Sequence, residues 1–229
     1  MMTPEQLTGQ TESHLVEVMV GQKAFLVHPQ VTADLLALKQ AADAAGFVFN
    51  IASGFRPFER QLAIWNRKMA GETAILDANS QPLDTTHWSE ADKVHAILRW
   101  SALPGGSRHH WGTDFDVFDR SVLPPDQGLQ LEPWEYLEAH QRPFYEWLKA
   151  NLARFGFFFP YQSTGSGVAF EPWHISHRAT SEQCLTELTL PILAQQLASA
   201  PLLGKPTVKR ELRQIYTHYM TQISRGDRV

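Results

Sequence analysis

Between Leu103 and Asp119 the chain reads LPGGSRHHWGTDFDVFD, where Pro104, Gly105 and Gly106 break regular structure and period-two alternation then takes over. A breaker followed by alternation delivers a loop into a strand. The predicted strand runs from Thr113 to Phe118 and carries Asp116, with His109 in the loop before it. Whatever this chain folds into must place that loop and strand side by side.

The flanking sequence supplies short strands and amphipathic helices. LVEVMV (15 to 20) and AFLV (24 to 27) are separated by Gly21, Gln22 and Lys23, a hairpin expected at an edge of the sheet. From Thr32, an expected N-cap, ADLLALKQAADAAG has helical spacing and stops at Gly46. FVFNIAS (47 to 53) reads as a buried strand. Pro57 opens a second helix with Leu62, Trp65 and Met69 on one face, so SGFRP occupies a strand-to-helix turn. A loop from Glu72 to Thr86 precedes a helix expected over 88 to 100. Residues 140 to 155 read as helix, GFFFPY and VAFEPWHIS as extended, and 181 to 200 and 206 to 224 as two further helices.

Composition removes several function classes. A formal net charge of −4 with scattered basic residues offers no stripe to neutralise a phosphate backbone, so no nucleic-acid partner is expected. No apolar run approaches the roughly 18 residues of a membrane span. The N-terminus MMTPEQLTGQTESHLVEV lacks a cationic segment followed by an apolar one, which predicts a cytoplasmic protein. The single cysteine, Cys184, reads as a small buried apolar residue and leaves any metal site to His and carboxylate ligands.

Such ligands are present. His109, Asp116 and His174 offer two imidazoles and a carboxylate, three protein ligands that leave a fourth zinc position open, as in catalytic sites. Glu171, three residues before His174, is placed to take a proton from an activated water and return it to a leaving amine. Pro172 inside EPWH favours an extended or turned segment over a helix there. His110 and His177 are the rival ligands. Side-chain alternation should turn His110 away from the face that His109 uses. Trp111 and Trp173 read as core packing beside the metal strand rather than as pocket walls.

Ser107-Arg108-His109-His110-Trp111-Gly112-Thr113-Asp114-Phe115-Asp116 resembles the Ser-x-His-x-x-Gly-x-x-x-Asp motif of the D-alanyl-D-alanine carboxypeptidases and dipeptidases of the LAS metallopeptidase group (peptidase family M15). Glu171-Pro172-Trp173-His174 resembles that group's Glu-x-x-His, and Ser53-Gly54-Phe55-Arg56-Pro57 with Gln61 resembles its Ser-Gly-Tyr/Phe-Arg segment. The resemblance spans roughly residues 30 to 178. It departs at Asp114, where the group carries a small residue, and a carboxylate there either points away or enters the metal's surroundings.

The resemblance implies an α+β fold of the hedgehog/DD-peptidase type, a small central antiparallel sheet carrying one zinc ion between flanking helices. Residues 1 to 180 would form the peptidase domain, and 181 to 229 a helical extension packed on it. It also implies Arg56 at the developing oxyanion, a role suited to a forked permanent cation. Ser107 and Gln61 would hold the substrate's terminal carboxylate. The implied reaction is removal of a terminal D-alanine from a peptidoglycan-derived peptide, D,D or L,D. In the cytoplasm this would act on recycled tetrapeptides or soluble precursors. The alternatives are a D,D-dipeptidase, an endolysin-type endopeptidase, or, from another class, a non-catalytic zinc module, which Glu171 and Arg56 argue against. The spacing in ELRQIYTHYM suits a helix packed on its own domain or on a second subunit, and the sequence assigns no oligomeric state.

Overall fold

The structure is a computed structural model that describes residues 1–162 and 167–224. Its centre is a four-stranded antiparallel sheet in the order β3 (Phe49–Ser53), β4 (Asp114–Asp119), β6 (His174–His177), β5 (Phe157–Phe158). Around it lie α1 (Pro4–Leu7), α2 (Thr32–Ala44), α3 (Phe58–Met69), α4 (Glu90–Leu98), α5 (Pro133–Leu137) and α6 (Arg142–Asn151). The chain then continues through α7 (Arg178–Glu187), α8 (Leu190–Ser199) and α9 (Lys205–Ile215).

Both faces of the sheet are covered, which explains the composition of β4. Phe115 and Val117, fully buried, share a face with Ile175 and pack with Leu35, Leu38 and Phe144 from α2 and α6. Burying side chains of this size contributes about 1.5–3 kcal/mol each. Asp114 and Asp116 alternate onto the opposite face and are buried as well. A second apolar cluster joins Leu62 and Trp65 of α3, Val94 and Ile97 of α4, and Leu193, Leu197, Val208 and Leu212 of the C-terminal helices.

Several boundaries differ from expectation. The hairpin β1 (Val16–Val20) with β2 (Lys23–Val27) is a separate two-stranded sheet, not an edge of the central one. Its buried Val18, Val20 and Val27 join the cluster beneath the central sheet, and its end is tied to the loop before β4 by His28 N–H donating to Gly112 C=O at 2.9 Å. Thr32 is the first residue of α2 rather than its cap. Pro29, whose φ is already helical, starts a 3-10 turn over Pro29–Val31, and His28 caps that turn instead. The expected helix over 181 to 200 is two helices, broken at Leu188 and Thr189 ahead of Pro191. Of VAFEPWHIS only the last part is strand, and Pro172 and Trp173 form a turn. The short helices α1 and α5 escaped the periodicity because neither completes two turns.

Candidate metal centre

The site is built on one row of the sheet. Ser53 of β3, Asp116 of β4 and His174 of β6 are paired directly across the strands, so their side chains meet on one face. His109 reaches the same point from a 3-10 turn over Arg108–Trp111 that ends at Gly112. That glycine is required. Its φ is +70°, and a Cβ would stand 2.6 Å from Leu15 Cδ2 and 3.0 Å from the His28 backbone nitrogen. The sharp turn there separates the histidine-bearing loop from β4.

His109, Asp116 and His174 each present a ligand atom, all within 4.8 Å of one another. Neighbouring hydrogen bonds select which imidazole nitrogen faces the group. His109 Nδ1–H donates to the Gly54 carbonyl at 3.0 Å, which leaves Nε2 toward Asp116 Oδ1 at 3.4 Å. His174 Nε2–H donates to Asp114 Oδ1 at 2.9 Å, which leaves Nδ1 facing Asp116 Oδ1 at 3.7 Å and Glu171 Oε2 at 2.9 Å. Asp116 Oδ1 is buried without a hydrogen-bond partner among the described residues. An orphaned carboxylate oxygen between two imidazole nitrogens fits a divalent cation, and this donor set suits zinc.

Asp114 explains why a carboxylate is tolerated two residues before Asp116. It lies behind the ligand group, against the outer nitrogen of His174, where Oδ1 also accepts from Arg108 Nε at 2.8 Å and Oδ2 from Thr113 Oγ1 at 2.6 Å. Burial alone would raise its pKa. The Arg108 guanidinium and the hydrogen bonds from His174 and Thr113 instead hold it well below the usual carboxylate range. Burial disfavours the His174 imidazolium, yet hydrogen bonds to Asp114 and Glu171 raise its pKa to about 10. Arg108 is held further by Ser176 Oγ at 2.7 Å and by the Trp111 and Phe158 rings.

A cavity of about 290 Å³ opens over the ligand group, and Arg56, Ser107 and Glu171 all line it. Arg56 Nη1 donates to Gln61 Oε1 at 3.0 Å and Nη2 to Ser53 Oγ at 2.9 Å, while its buried Nε has no partner among the described residues. Burial lowers its pKa, with Asp116 opposing, but a guanidinium stays charged. Gln61 lies apart from the three that line the cavity. It is fully buried behind Arg56, outside the cavity lining, and its amide is spent on Arg56 and on the Ala102 carbonyl at 2.7 Å.

The rival histidines are occupied elsewhere. His110 Nδ1–H donates to the Arg56 carbonyl at 2.6 Å, and Nε2 accepts from Gly105 N–H at 3.1 Å. His177 bridges Asp34 at 2.9 Å and Thr180 at 3.0 Å. Trp111 is core, its indole N–H donating to the Leu7 carbonyl at 2.9 Å. Trp173 both packs with Tyr136 and lines the cavity, stacked on Trp100. Sequence reasoning passed over Tyr161, which meets the His174 ring edge-on at 4.9 Å, and Arg108, which holds Asp114. Tyr161 sits in a segment read only for its extended character, and Arg108 at an unspecified position of the histidine motif, so neither carries a spacing signal of its own.

Residues 24–180 match the VanY family, described as D-alanyl-D-alanine carboxypeptidase. An uncharacterised protein of Haemophilus influenzae is 38% identical over 121 residues, which cover 52% of this chain and 92% of that protein. The structure of VanYB in complex with D-alanine-D-alanine shares the fold at a TM-score of 0.51 and 24% identity, over 81% of this chain and 88% of that one. A VanY D,D-pentapeptidase from a VanB-type resistance cassette, in complex with Zn(II), is similar at the same TM-score of 0.51 and 24% identity, over 78% and 88%.

Proposed function

The chain belongs to the VanY family of D-alanyl-D-alanine carboxypeptidases, and from that premise we propose that it is a zinc metallopeptidase that removes a terminal D-alanine from peptidoglycan-derived peptides. His109, Asp116 and His174 would hold a single zinc ion. Bound there, zinc supplies Lewis acidity and lowers the pKa of water toward about 7. The observation that carries the reading is the convergence of the ligand group, Glu171 and Arg56 on one cavity.

Glu171 acts as the general base. Its carboxylate stands 2.9 Å from His174 Nδ1, within reach of a water beside the ligand group, and it later returns the proton to the departing amine. Arg56 directs its cationic fork at the scissile carbonyl, where negative charge develops, and Ser53 and Gln61 keep the guanidinium from swinging away. Ser107 donates its hydroxyl to the terminal carboxylate of the substrate. Gln61 contributes through Arg56 rather than by touching the peptide. Asp114 and Arg108 keep the His174 ring turned so that Nδ1 faces inward.

Substituting Glu171 by Ala should abolish turnover while zinc stays bound. Near-normal activity in that variant would sink the assignment. A panel of dipeptide, tetrapeptide and pentapeptide substrates separates dipeptidase, L,D- and D,D-carboxypeptidase activity, since each requires a different substrate. Cross-linked muropeptides in the same panel test for endopeptidase cleavage, and zinc binding without turnover of any of these peptides would favour a non-catalytic module.

A further inference from the structure

The family match ends at residue 180, yet Tyr219 and Met220, far beyond it, line the cavity over the ligand group. They lie on a π-helical turn, Tyr216–Thr221, that continues directly from α9. Such wide turns cluster at functional positions. Here the turn lets two consecutive side chains reach one cavity.

Met220 is 6% exposed. Its Sδ and Cε both stand 2.9 Å from where a Cβ on Gly106 would lie, so the thioether end occupies the space above that glycine, immediately before Ser107. Tyr219 anchors the turn. Its hydroxyl is bonded to His95 Nδ1 at 2.9 Å, and His95 Nε2 to Glu211 at 2.7 Å, which ties the turn to α4 and α9. The Tyr219 ring covers Gly167, and Gly167 N–H donates to the His218 carbonyl at 3.0 Å. The turn is thus pinned against both segments that lead into the site, the one before His109 and the one before Glu171.

We propose that Met220 is a specificity-determining residue, an apolar stop that limits the departing amino acid to a small side chain. The inference rests on the carboxypeptidase reading. If Ser107 holds the terminal carboxylate, the side chain on the same Cα is left facing the wall formed by Gly106 and Met220. A methyl group fits against a thioether, whereas a branched side chain meets Sδ and Cε. The C-terminal helices therefore complete the substrate cavity as well as cover the core.

The test is a competition in one vessel between two peptides that differ only in their last residue, D-alanine or D-leucine. The kcat/KM ratio so obtained does not depend on how much enzyme is folded. Wild type should favour the D-alanine peptide. Met220→Ala should move the ratio toward D-leucine by about tenfold or more, the range of roughly 10–200-fold that a methylene-scale change in an apolar pocket produces. Met220→Val should move it the same way by less, and carries the test if the alanine variant does not fold. Leu197→Ala, which removes buried volume from α8 away from the cavity, should leave the ratio unchanged. An unchanged ratio in both Met220 variants, or the same change in Leu197→Ala, would overturn the inference alone. Failure of zinc-loaded wild type to cleave the D-alanine peptide would overturn the carboxypeptidase reading and this inference with it.

Discussion

Asp114 Oδ1 receives two buried N–H groups at once, Nε2 of His174 at 2.9 Å and Nε of Arg108 at 2.8 Å. One oxygen thereby links a metal-facing imidazole to a cation held between the Trp111 and Phe158 rings.

Removing that oxygen should loosen the metal. Asp114→Ala is expected to weaken zinc binding by about 10–100-fold, the usual effect of losing a carboxylate behind a ligand histidine. It should also cost about 3–5 kcal/mol of stability, because Arg108 is left buried and unpaired. Asp114→Asn retains an acceptor and should lose less affinity. Competition with a fluorescent chelator, scaled to the folded fraction, gives the affinities, and equal values for Asp114→Ala and wild type would refute the role.

Arg56→Lys keeps the charge and loses the fork. Its expected signature is a kcat lower by roughly 10²–10³-fold, the scale of losing one oxyanion donor, with zinc affinity unchanged. Gln61→Ala should lower kcat by less and leave KM near wild type, since Gln61 acts by holding Arg56 Nη1. A Gln61 variant whose loss falls mainly on KM would instead mark it as a substrate contact.

Acid sensitivity should trace partly to His28. Burial, aided by repulsion from His14 and His177, lowers its pKa to about 4, whereas an unfolded chain titrates near 6.5. The fold therefore favours the neutral ring. This contribution is present in full above the unfolded pKa and is lost as pH falls from about 6.5 toward about 4. Tm measured across that window should fall more steeply for wild type than for His28→Asn. Parallel profiles would remove His28 from the account.

Cys184 should be inert while the protein is folded. It is buried, and burial pushes its thiol up to about 12. Alkylation at pH 8 is expected to be many times slower in native protein than in denaturant, read by mass spectrometry. Comparable rates would mean that the helix carrying it opens readily.

The chemistry was more legible in the sequence than the packing that serves it. His109, Asp116, Glu171 and His174 stood out because metal hydrolysis demands few residue types and Pro104, Gly105 and Gly106 set off the loop that leads into β4. The central sheet was legible through β4, whose alternation survives because Phe115 and Val117 face one layer and Asp114 and Asp116 the other. The separate hairpin was hidden, since pairing partners of β1 and β2 are a matter of tertiary contact. So was the place of Gln61, a polar residue on an apolar helix face whose fully buried amide no local pattern announces. The wall formed by Tyr219 and Met220 joins segments more than a hundred residues apart in the chain, a distance over which no sequence period operates.

Asp116 and His174 are cross-strand partners, and the whole segment between β4 and β6 departs from and returns to that single pair. The separation that matters to a metal is therefore a sheet spacing, indifferent to contour length. Residues can be inserted into or deleted from the excursion at its exposed bends, such as the stretch around Asp126 and Gln127, without moving either ligand. A one-residue insertion inside β4 between Phe115 and Asp116 would be another matter, since it reverses every side chain beyond it and turns the carboxylate into the apolar layer. Domain grafts and circular permutants of this chain have freedom at such exposed bends and almost none within the strands or the turn that carries His109.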